Sequence, residues 1–473
     1  MPRDVIQHLP EVASILALVE AEAARTSARA LAVGGYVRDR LLDRPPTNEV
    51  DIVVSGGSGP GVAAAVASRL GAREPVVFER FGTAQVIAGE IVLEFVTARA
   101  ESYASDSRKP EVRPASLEED AVRRDFTVNA LMAGADGEVL DLTGMGLADL
   151  DARLLRTPLP ARETFLEDPL RAVRAVRFAV TLGFEMHPDI PPAIAASIDR
   201  LQQVVSVERV SEELRRLLLS DHPGTGIRRL RETGLLERLM PEVEDMGGVE
   251  QTGFHNLDVL AHTLSALDMV AERPLPHLPP ADELVLRLGV LTHDIGKPST
   301  RAEDGERVTF LGHPDVGARL AIQMLRSLRF SNEVIEGAAQ LVRLHMRPIG
   351  YDPGGWSDGA VRRLVRDSGE LLPALLELTR VDMKASEYPV AEAEAKLGDL
   401  RRRIVEVDAE AVRRARPPLS GRQLMERYGR EPGPWIGTVH EALLEAVMDG
   451  DIPTTDGEGE AWRYLDAHPE LLA

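Results

Sequence analysis

The chain has 473 residues, of which 44% are apolar and 28% charged, the balance of an ordinary globular protein. This length exceeds what one hydrophobic core supports, so we expect about two to four domains. The absence of cysteine excludes disulfides, thiolate metal ligands and cysteine nucleophiles. The net charge of −21 argues against broad, nonspecific nucleic-acid binding, so an RNA partner requires local basic patches.

No targeting segment is visible in the sequence. The N-terminal residues lack the apolar stretch of a signal peptide, and no run reaches the roughly eighteen apolar residues that a membrane span needs. We therefore expect a cytoplasmic protein with no membrane partner.

The predicted elements change character near residue 150. Residues 1–26 read as an amphipathic helix, and short β-branched strands then alternate with helices such as Gly61–Leu70 and Arg124–Ala133. After Asp149 apolar residues recur at helical spacing, broken by proline and glycine clusters. The sequence therefore predicts an α+β fold with a mixed head and a long, predominantly helical remainder. The predicted strands are Asp51–Val54, Val76–Phe78, Ala84–Ile87, Ile91–Val96 and Val139–Leu142.

Two neighbouring segments of the head predict a nucleotide site. An apolar strand leads into Gly34 and Gly35, and then into a helix that carries Arg38. Glycines in this position let backbone N–H groups approach a phosphate. The next strand carries Glu49 and Asp51, whose side chains point to the same side because they are two residues apart. Such a pair can hold two divalent cations for phosphoryl transfer, so we expect a metal-bound nucleoside triphosphate here.

Four sequence elements, in this order, resemble the bacterial class II tRNA nucleotidyltransferase and poly(A) polymerase family of the polymerase-β-like superfamily. The resemblance is strong over residues 28–220 and weaker beyond. It implies a polymerase-β-like head followed by a helical neck, an HD-type body and a tail. The family usually has Asp-x-Asp where this chain has Glu49 and Asp51. The elements are residues 34–42, the Glu49/Asp51 pair, residues 123–131 and residues 167–174.

The resemblance implies roles for the head residues. It implies that the acidic pair holds Mg²⁺ and is catalytic, and that the glycine pair and Arg38 hold the phosphates. Arg123 and Arg124, expected to open a helix and to be oriented by Asp125, contact the nucleotide. Glu94, on a following strand, is either a third acidic residue at the metals or a solvated strand position.

Asp168, Arg171 and Arg174 are predicted to lie along one helix at a spacing of three residues. Read from the residues alone, they form either a solvated ion-pair stripe or a base-reading device. A carboxylate that accepts from an exocyclic amine, beside a guanidinium that donates to a ring nitrogen, selects C and A over U and G. The resemblance implies this role at Asp168 and Arg171 towards CTP and ATP. Arg174 and Arg177 then support the device or reach the triphosphate.

Three further segments resemble parts of the same family. Residues 100–116 are polar and interrupted by proline, which predicts a mobile loop. The length of this loop resembles that of enzymes that add the terminal A, so a CC-only enzyme is disfavoured. Residues 141–149 resemble the hinge of the family, and residues 208–216 resemble its neck helix.

The helical remainder carries a second candidate metal site. His293 and Asp294 follow an apolar run and are followed by Gly296 and Lys297. This motif resembles the HD superfamily of metal-dependent phosphohydrolases. Imidazole and carboxylate ligands together suit Mn²⁺, Fe, Ni²⁺ or Co²⁺ more than Mg²⁺. A retained ligand set favours phosphatase or 2′,3′-cyclic phosphodiesterase activity, whereas degenerate relatives only grip tRNA. The implied ligands are His262, His293, Asp294 and Asp382, with His313 and His345 added in two-metal members.

The predicted domains are a nucleotidyltransferase head over residues 1–150, a neck over 151–235, an HD-type domain over 236–400 and a helical tail over 401–473. The favoured function is addition of C, C and A to the tRNA 3′ end from CTP and ATP without a nucleic-acid template. An A-adding enzyme and a poly(A) polymerase are close alternatives. A rival of another class, favoured by the net charge, is an HD-type nucleotide phosphohydrolase with a regulatory head. An inactive RNA-binding module is disfavoured by the complete acidic pair.

Overall fold

The computed structural model describes residues 4–45, 47–78, 82–102, 111–251, 257–272, 278, 280–304, 307–386 and 388–472. The chain forms two compact units, the first made of residues 1–217 and 232–235 and the second of residues 218–231 and 236–473. The first unit holds a mixed sheet and the second is mostly helical, so the predicted α+β class is confirmed. The finer division into four domains stays a prediction.

The first unit contains eleven strands and nine helices among its described residues. The strands are β1 Arg29–Val33, β2 Glu49–Ser55, β3 Val76–Phe78, β4 Thr83–Ala88, β5 Ile91–Thr97, β6 Arg99–Ser102, β7 Glu111–Pro114, β8 Met132–Ala133, β9 Val139–Leu140, β10 Leu154–Leu155 and β11 Glu185–Met186. The helices are α1 Pro10–Ala24, α2 Gly35–Leu41, α3 Gly59–Leu70, α4 Leu117–Val122, α5 Gly146–Asp151, α6 Ala161–Glu167, α7 Leu170–Leu182, α8 Ile190–Val204 and α9 Val207–Leu218.

A seven-stranded sheet forms the centre of the first unit, with strand order β3-β4-β5-β2-β1-β8-β9. Strand β2 is antiparallel to β1 and parallel to β5. Helix α3 packs on β4 and β5, starts after the N-cap Ser58 and ends at the left-handed Gly71. The β2 residues Val50, Ile52 and Val54 are fully buried and alternate with the acidic positions of the same strand. One face of β2 is therefore apolar core, and the other carries Glu49 and Asp51 before it too becomes apolar at the buried Val53.

The second unit contains sixteen helices and one small antiparallel strand pair among its described residues. Helices α16 and α17 pack through small side chains, which include the fully buried Ala318 and Ala321. The helices are α10 Pro223–Glu232, α11 Leu235–Leu239, α12 Pro241–Glu244, α13 Val259–Ala271, α14 Pro280–Thr292, α15 Lys297–Thr300, α16 His313–Ser327, α17 Asn332–Leu344, α18 Met346–Ile349, α19 Asp358–Ser368, α20 Leu372–Ala385, α21 Val390–Glu406, α22 Ala409–Arg414, α23 Gly421–Tyr428, α24 Pro434–Asp449 and α25 Glu458–Ala467. The strands are β12 Ala302–Asp304 and β13 Arg307–Thr309.

Several sequence predictions about the head are wrong. The helix expected over residues 1–26 begins only at Pro10, and Arg123 and Arg124 follow the end of α4 instead of opening a helix. The expected helix Arg124–Ala133 is a 3₁₀ turn over Thr127–Asn129 followed by β8. The helix lies earlier because Ser116 and Glu119 form a capping box that starts α4, which ends at Val122. A short buried apolar run fits a strand as well as a helix, so periodicity does not distinguish the two.

The expected loop over residues 100–116 is wrong at both ends, because β6 and β7 pair there as an antiparallel ladder. Residues 103–110 of that loop lie outside the described residues. Among the helices that the structure describes, none is both long and apolar enough to cross a membrane.

Candidate functional site

Three carboxylates lie on one face of the sheet, opposite the face of Val50 and Ile52. We call Glu49, Asp51 and Glu94 the carboxylate cluster. Glu49 and Asp51 are two residues apart on β2, and Asp51 pairs in register with Glu94 of the parallel strand β5. Residues paired in register point to the same side, so all three side chains share one face. Asp51 is half-buried, whereas Glu49 and Glu94 are exposed.

The electrostatics of the cluster suit a divalent cation. Burial raises the pKa of the Asp51 carboxyl to about 6, and the Glu94 and Glu49 carboxylates add to the rise. The Arg124 guanidinium opposes it without cancelling it. Three carboxylates on one sheet face, with one partly compensating cation, repel each other, and a bound divalent ion relieves this repulsion. The donor set is all oxygen, which is the preference of Mg²⁺.

Gly34 lies beside the cluster, at the junction of β1 and α2. Its φ of +77° is in the left-handed region, which only glycine adopts at no steric cost. A Cβ here would lie 3.5 Å from Asp51 Oδ2 and 3.6 Å from an Nη atom of Arg124. Any side chain larger than hydrogen would therefore occupy the space next to the carboxylate. Gly35 follows as the first residue of α2.

Arg38 of α2 is buried and held by protein groups. It donates to the carboxylate of Asp39 at 2.9 Å from both Nε and Nη2, and to Asn129 Oδ1 at 2.5 Å. The guanidinium is thus fixed in orientation within the first unit. Asn129 belongs to the Arg-Arg-Asp element that the sequence singled out, but its contact with Arg38 was not predicted.

Arg123 and Arg124 are oriented by Asp120, and the prediction that Asp125 orients them is wrong. Asp120 is fully buried at the end of α4, with Oδ1 2.6 Å from Arg123 Nη2 and Oδ2 2.9 Å from Arg124 Nη2. The carboxylate reaches both because residues three and four apart lie on one helix face. That spacing was available in the sequence and could have identified Asp120.

Asp125 instead binds the neck. Its Oδ2 accepts hydrogen bonds from Arg174 Nη2 at 2.6 Å and Nε at 2.9 Å, and its Oδ1 accepts from Asn129 Nδ2 at 3.1 Å. Burial alone raises the pKa of Asp125, but Arg174 outweighs it and holds this pKa at about 2. The carboxylate therefore stays ionised and binds α7 to the segment that precedes β8.

Glu213 of α9 extends this chain of contacts. It is buried and accepts from Arg174 Nη1 at 3.1 Å and from Arg177 Nε at 2.5 Å. Arg177 also lies over the Phe178 ring, 3.9 Å from its centroid. Sequence reasoning missed Glu213, because a carboxylate on an amphipathic helix reads as a solvated residue. The resulting arginine–carboxylate chain comprises Asp39, Arg38, Asn129, Asp125, Arg174, Glu213 and Arg177.

Asp168 lies between two helices, and the prediction that it shares one helix with Arg171 and Arg174 is wrong. Helix α6 ends before it and α7 begins after Pro169, because proline cannot continue the preceding helix. The Asp168 carboxylate accepts from the N–H of Leu170 at 3.2 Å and lies 3.3 Å from an Nη atom of Arg209.

Arg171 lies in the first turn of α7 and donates from Nη2 to the backbone carbonyl of Arg123 at 2.6 Å. Its backbone N–H donates to the Asp168 carbonyl at 3.0 Å, so the two residues stay adjacent despite the break between the helices. The contact of Arg171 with the Arg123 carbonyl joins the predicted base-reading residues, Asp168 and Arg171, to the segment 123–131.

The second unit brings all six predicted HD residues together. They form two buried triads, and the candidate ligand atoms of each triad lie within 4.8 Å of one another. His293 Nε2 is 3.1 Å from Asp294 Oδ2, and His313 Nε2 is 3.2 Å from His345 Nε2. The triads are His262, His293 and Asp382, and Asp294, His313 and His345.

Three of the histidines have a fixed orientation. The Nδ1 atoms of His293, His313 and His345 each contact the backbone carbonyl of the residue three positions earlier, at 2.8, 2.8 and 2.6 Å. An Nδ1–H donated to a carbonyl leaves Nε2 as the ligand atom. The pKa of His345 is lowered to about 4, chiefly by burial, so its imidazole is neutral. At His293 burial lowers the pKa, but the Asp294 and Asp382 carboxylates outweigh it and raise this pKa to about 9, so metal binding there displaces a proton. Imidazoles beside carboxylates are a ligand set that fits a divalent transition metal.

A cavity of about 620 Å³ opens next to the two triads. Asp294, His313 and Asp382 line it, together with Lys297, whose Nζ is 2.7 Å from Asp294 Oδ2. The remaining lining is largely apolar and includes Phe310 and Met383. Three of the six candidate metal ligands are therefore accessible to a small molecule through this cavity.

Comparison with known proteins agrees with this architecture. The chain matches the family models described as Poly A polymerase head domain over residues 30–156, Probable RNA and SrmB- binding site of polymerase A over 183–246, and HD domain over 255–383. It is 35% identical to an A-adding tRNA nucleotidyltransferase of Deinococcus radiodurans, over 89% of this chain and 92% of the relative. It is 37% identical to a CC-adding tRNA nucleotidyltransferase of Thermus thermophilus, over 90% of this chain and 91% of the relative.

Among solved structures, the Bacillus stearothermophilus CCA-adding enzyme in complex with CTP has the same fold, with a TM-score of 0.67 at 24% identity over 98% of this chain and 99% of that one. A polymerase-type head with an RNA-binding region and an HD domain defines a nucleotidyltransferase, which is an enzyme class that uses divalent metals. The chain belongs to the bacterial tRNA nucleotidyltransferase and poly(A) polymerase family.

The Asp125–Arg174 pair predicts a pH-dependent stability difference. The folded pKa of Asp125, about 2, lies below its ordinary value of 3.8, so its contribution is present above pH 4 and is lost as the pH falls through 2. We expect this contribution, about 2 kcal/mol at pH 7, to fall by about half at pH 3. The gap in unfolding free energy between wild type and Asp125→Asn, measured in urea at each pH, should shrink accordingly. The exposed Asp43→Asn is the control, and a gap for Asp125→Asn that is independent of pH would contradict the assignment.

The two triads predict tight metal retention by the second unit. After dialysis against Ni²⁺ or Mn²⁺ and desalting, wild-type protein should retain metal, and Asp294→Ala should lose most of it because one carboxylate serves several neighbouring imidazoles. Inductively coupled plasma mass spectrometry gives the metal content. Asp51→Ala, in the other unit, is the control and should retain as much metal as wild type. Equal retention by Asp294→Ala would exclude a metal centre here.

Proposed function

We propose that the chain is a CCA-adding tRNA nucleotidyltransferase, which adds C, C and A to the tRNA 3′ end from CTP and ATP without a nucleic-acid template. The single observation that carries this is the strand register that gathers the carboxylate cluster on one sheet face beside Gly34. Two-metal phosphoryl transfer requires convergent carboxylates next to a phosphate-binding turn. The tRNA and nucleotide substrates are inferred from membership of the family.

Each head residue has a role in this proposal. The carboxylate cluster holds Mg²⁺, which when bound stabilises the charge on the triphosphate and lowers the pKa of the attacking 3′-hydroxyl. The backbone of Gly34 and Gly35, together with Arg38, binds the phosphates. Arg123 and Arg124, held at fixed positions by Asp120, contact the sugar or the triphosphate.

Base selection is assigned to Asp168 and Arg171. Asp168 accepts from the exocyclic amine of C or A, and Arg171 donates to the adjacent ring nitrogen. The contact of Arg171 with the Arg123 carbonyl supports this, because it fixes the guanidinium relative to the triphosphate site. Arg174 and Arg177 act as supports, since Asp125 and Glu213 already engage their guanidinium groups.

The number of nucleotides added distinguishes the alternatives. The relatives named as A-adding and as CC-adding are similarly close to this chain, at 35% and 37% identity. Others, such as the Pseudomonas fluorescens relative at 37% identity over 61% of this chain, are named multifunctional CCA protein. An A-adding enzyme and a poly(A) polymerase therefore stay as alternatives to the full CCA activity.

A second activity is proposed for the second unit. Both triads are complete and buried, and each has at least one residue that lines the cavity. This favours a phosphohydrolase that uses Mn²⁺, Ni²⁺, Co²⁺ or Fe over a degenerate HD domain. Asp294 and the histidines hold the metal, and Lys297 supplies a positive charge beside it. The alternative from another enzyme class is that this phosphohydrolase is the main activity of the protein and that the head is regulatory.

A primer-extension assay separates these functions. A tRNA transcript that lacks CCA is incubated with each nucleoside triphosphate singly and in combination. Sequential incorporation of C, C and A supports the proposal. Addition of A only to a transcript that ends in CC indicates an A-adding enzyme, and long A tracts indicate polyadenylation.

Two variants test the separation of the sites. Asp51→Ala should lower extension by at least about a thousandfold, because a lost metal ligand forfeits several kcal/mol of transition-state stabilisation. It should leave Ni²⁺-dependent phosphate release from small nucleotides intact. Asp294→Ala is the matched control and should do the reverse. Loss of both activities in either variant would contradict two independent centres, and full extension by Asp51→Ala would refute the head assignment.

A further inference from the structure

We infer that the face of β3, β4 and β5 on which Val76, Phe78 and Ile87 are exposed among the described residues binds the single-stranded 3′ end of the RNA substrate, with these three side chains contacting its bases. This inference rests on the proposed nucleotidyltransferase function and extends it to a surface outside the catalytic centre. It assigns to these strands the path along which the RNA reaches the metals.

The register of four strands places this surface next to the carboxylate cluster. Asp51 pairs with Glu94, Glu94 with Gln85, and Gln85 with Val76, so the four residues form one row across the sheet. Residues paired in register share a face, so Val76 lies on the face of Asp51. Helix α3 packs on β4 and β5, on the opposite face, where Val86 and Leu93 are buried.

The exposed side chains of this face are apolar. Val76, Phe78 and Ile87 are 55%, 52% and 60% exposed. Phe78 and Ile87 belong to the same face, because Phe78 pairs with Thr83 of β4 and residues 83, 85 and 87 alternate with the buried ones. Exposed apolar side chains that share one sheet face beside a polar site are candidates for a binding surface. We call these three residues the apolar strip.

The position of the nucleotide leaves this side for the RNA. Gly34 and Arg38 follow β1, which flanks β2 on one side, and β5 flanks β2 on the other. The triphosphate on the β1 side and the attacking 3′-hydroxyl must meet at the carboxylate cluster between them. The RNA therefore leaves the cluster across β5, β4 and β3. Three strand spacings, about 14 Å, match a few nucleotides of single strand.

The chemistry of the strip selects bases over phosphates. Strands β3, β4 and β5 contain no lysine or arginine, and the neighbouring carboxylates repel a phosphate backbone. Base stacking on an aromatic side chain needs no charge and tolerates any sequence. A surface of this kind holds the terminal nucleotides of every tRNA alike, which a substrate-general enzyme requires.

A second copy of this chain is the other conceivable occupant, because β3 is an edge strand. Strand β3 is only three residues long, which offers few ladder hydrogen bonds. The row that joins Val76 to Asp51 favours a substrate over a subunit contact. Dimerisation is therefore treated as an outcome of the test.

The test compares two faces of one strand. Val76→Ser combined with Phe78→Ala removes the strip from β3, and Val77→Ser is the matched control, since Val77 is 43% exposed on the opposite face. We expect the double variant to bind a tRNA transcript lacking CCA about tenfold more weakly by fluorescence anisotropy, and to raise its KM in extension similarly. The Kd for CTP, measured without RNA, should stay unchanged. Val77→Ser should match wild type in all three readouts.

The outcomes separate this inference from the function on which it rests. If the double variant has the same RNA affinity and KM as the wild type, the inference is overturned. The proposed function is not affected by that result as long as the wild-type protein extends tRNA. Absence of extension by the wild type refutes the function, and the anisotropy comparison still decides whether the strip binds RNA. Sedimentation velocity covers the remaining case, because dissociation of a wild-type dimer in the double variant would assign the strip to a second copy and overturn the inference.

Discussion

The two-residue period of strand β2 is the constraint on which the head depends. One face of the strand, with Val50 and Ile52, is buried beneath the helical layer, so the register of the strand cannot slip without exposing core. The other face then carries Glu49 and Asp51, and pairing with β5 adds Glu94. The burial that stabilises the sheet thus also gathers three carboxylates whose mutual repulsion only a cation relieves. Strand β2 therefore contributes both to the core of the sheet and to the candidate metal site.

The arginine–carboxylate chain connects the head to the neck helices α7 and α9. Arg38 behind the glycine turn, Asp125 before β8 and Glu213 on α9 are joined through Asn129 and Arg174. Removing one partner of such a pair is destabilising, because the other charge stays largely buried and unpaired. The chain therefore fixes the turn at Gly34 and Gly35 relative to helix α7, which follows Asp168 and Pro169. In the proposed function, this geometry allows a protein surface to take the place of a template strand.

The sequence predicted the fold class and most strands, because strand alternation is a local signal. The six HD residues, up to 120 residues apart, were predicted from the resemblance to the HD superfamily. Two local signals were misread, namely the helical spacing of Asp120 from the arginine pair and the proline that follows Asp168. Asp120 rather than Asp125 holds the arginine pair, and Asp168 lies between helices because Pro169 interrupts them. The buried role of Glu213 has no local signal, since its partners are 36 and 39 residues away. The apolar strip needed the strand order, which periodicity does not give.

Anomalous diffraction from crystals grown with Mn²⁺ and a non-hydrolysable CTP analogue tests the central claim most directly. Mn²⁺ takes oxygen ligands like those of Mg²⁺ and is visible by its anomalous signal. We predict peaks between the carboxylates of Glu49, Asp51 and Glu94, with the triphosphate extending towards Gly34. Peaks confined to the histidine triads, with the nucleotide elsewhere, would contradict the account.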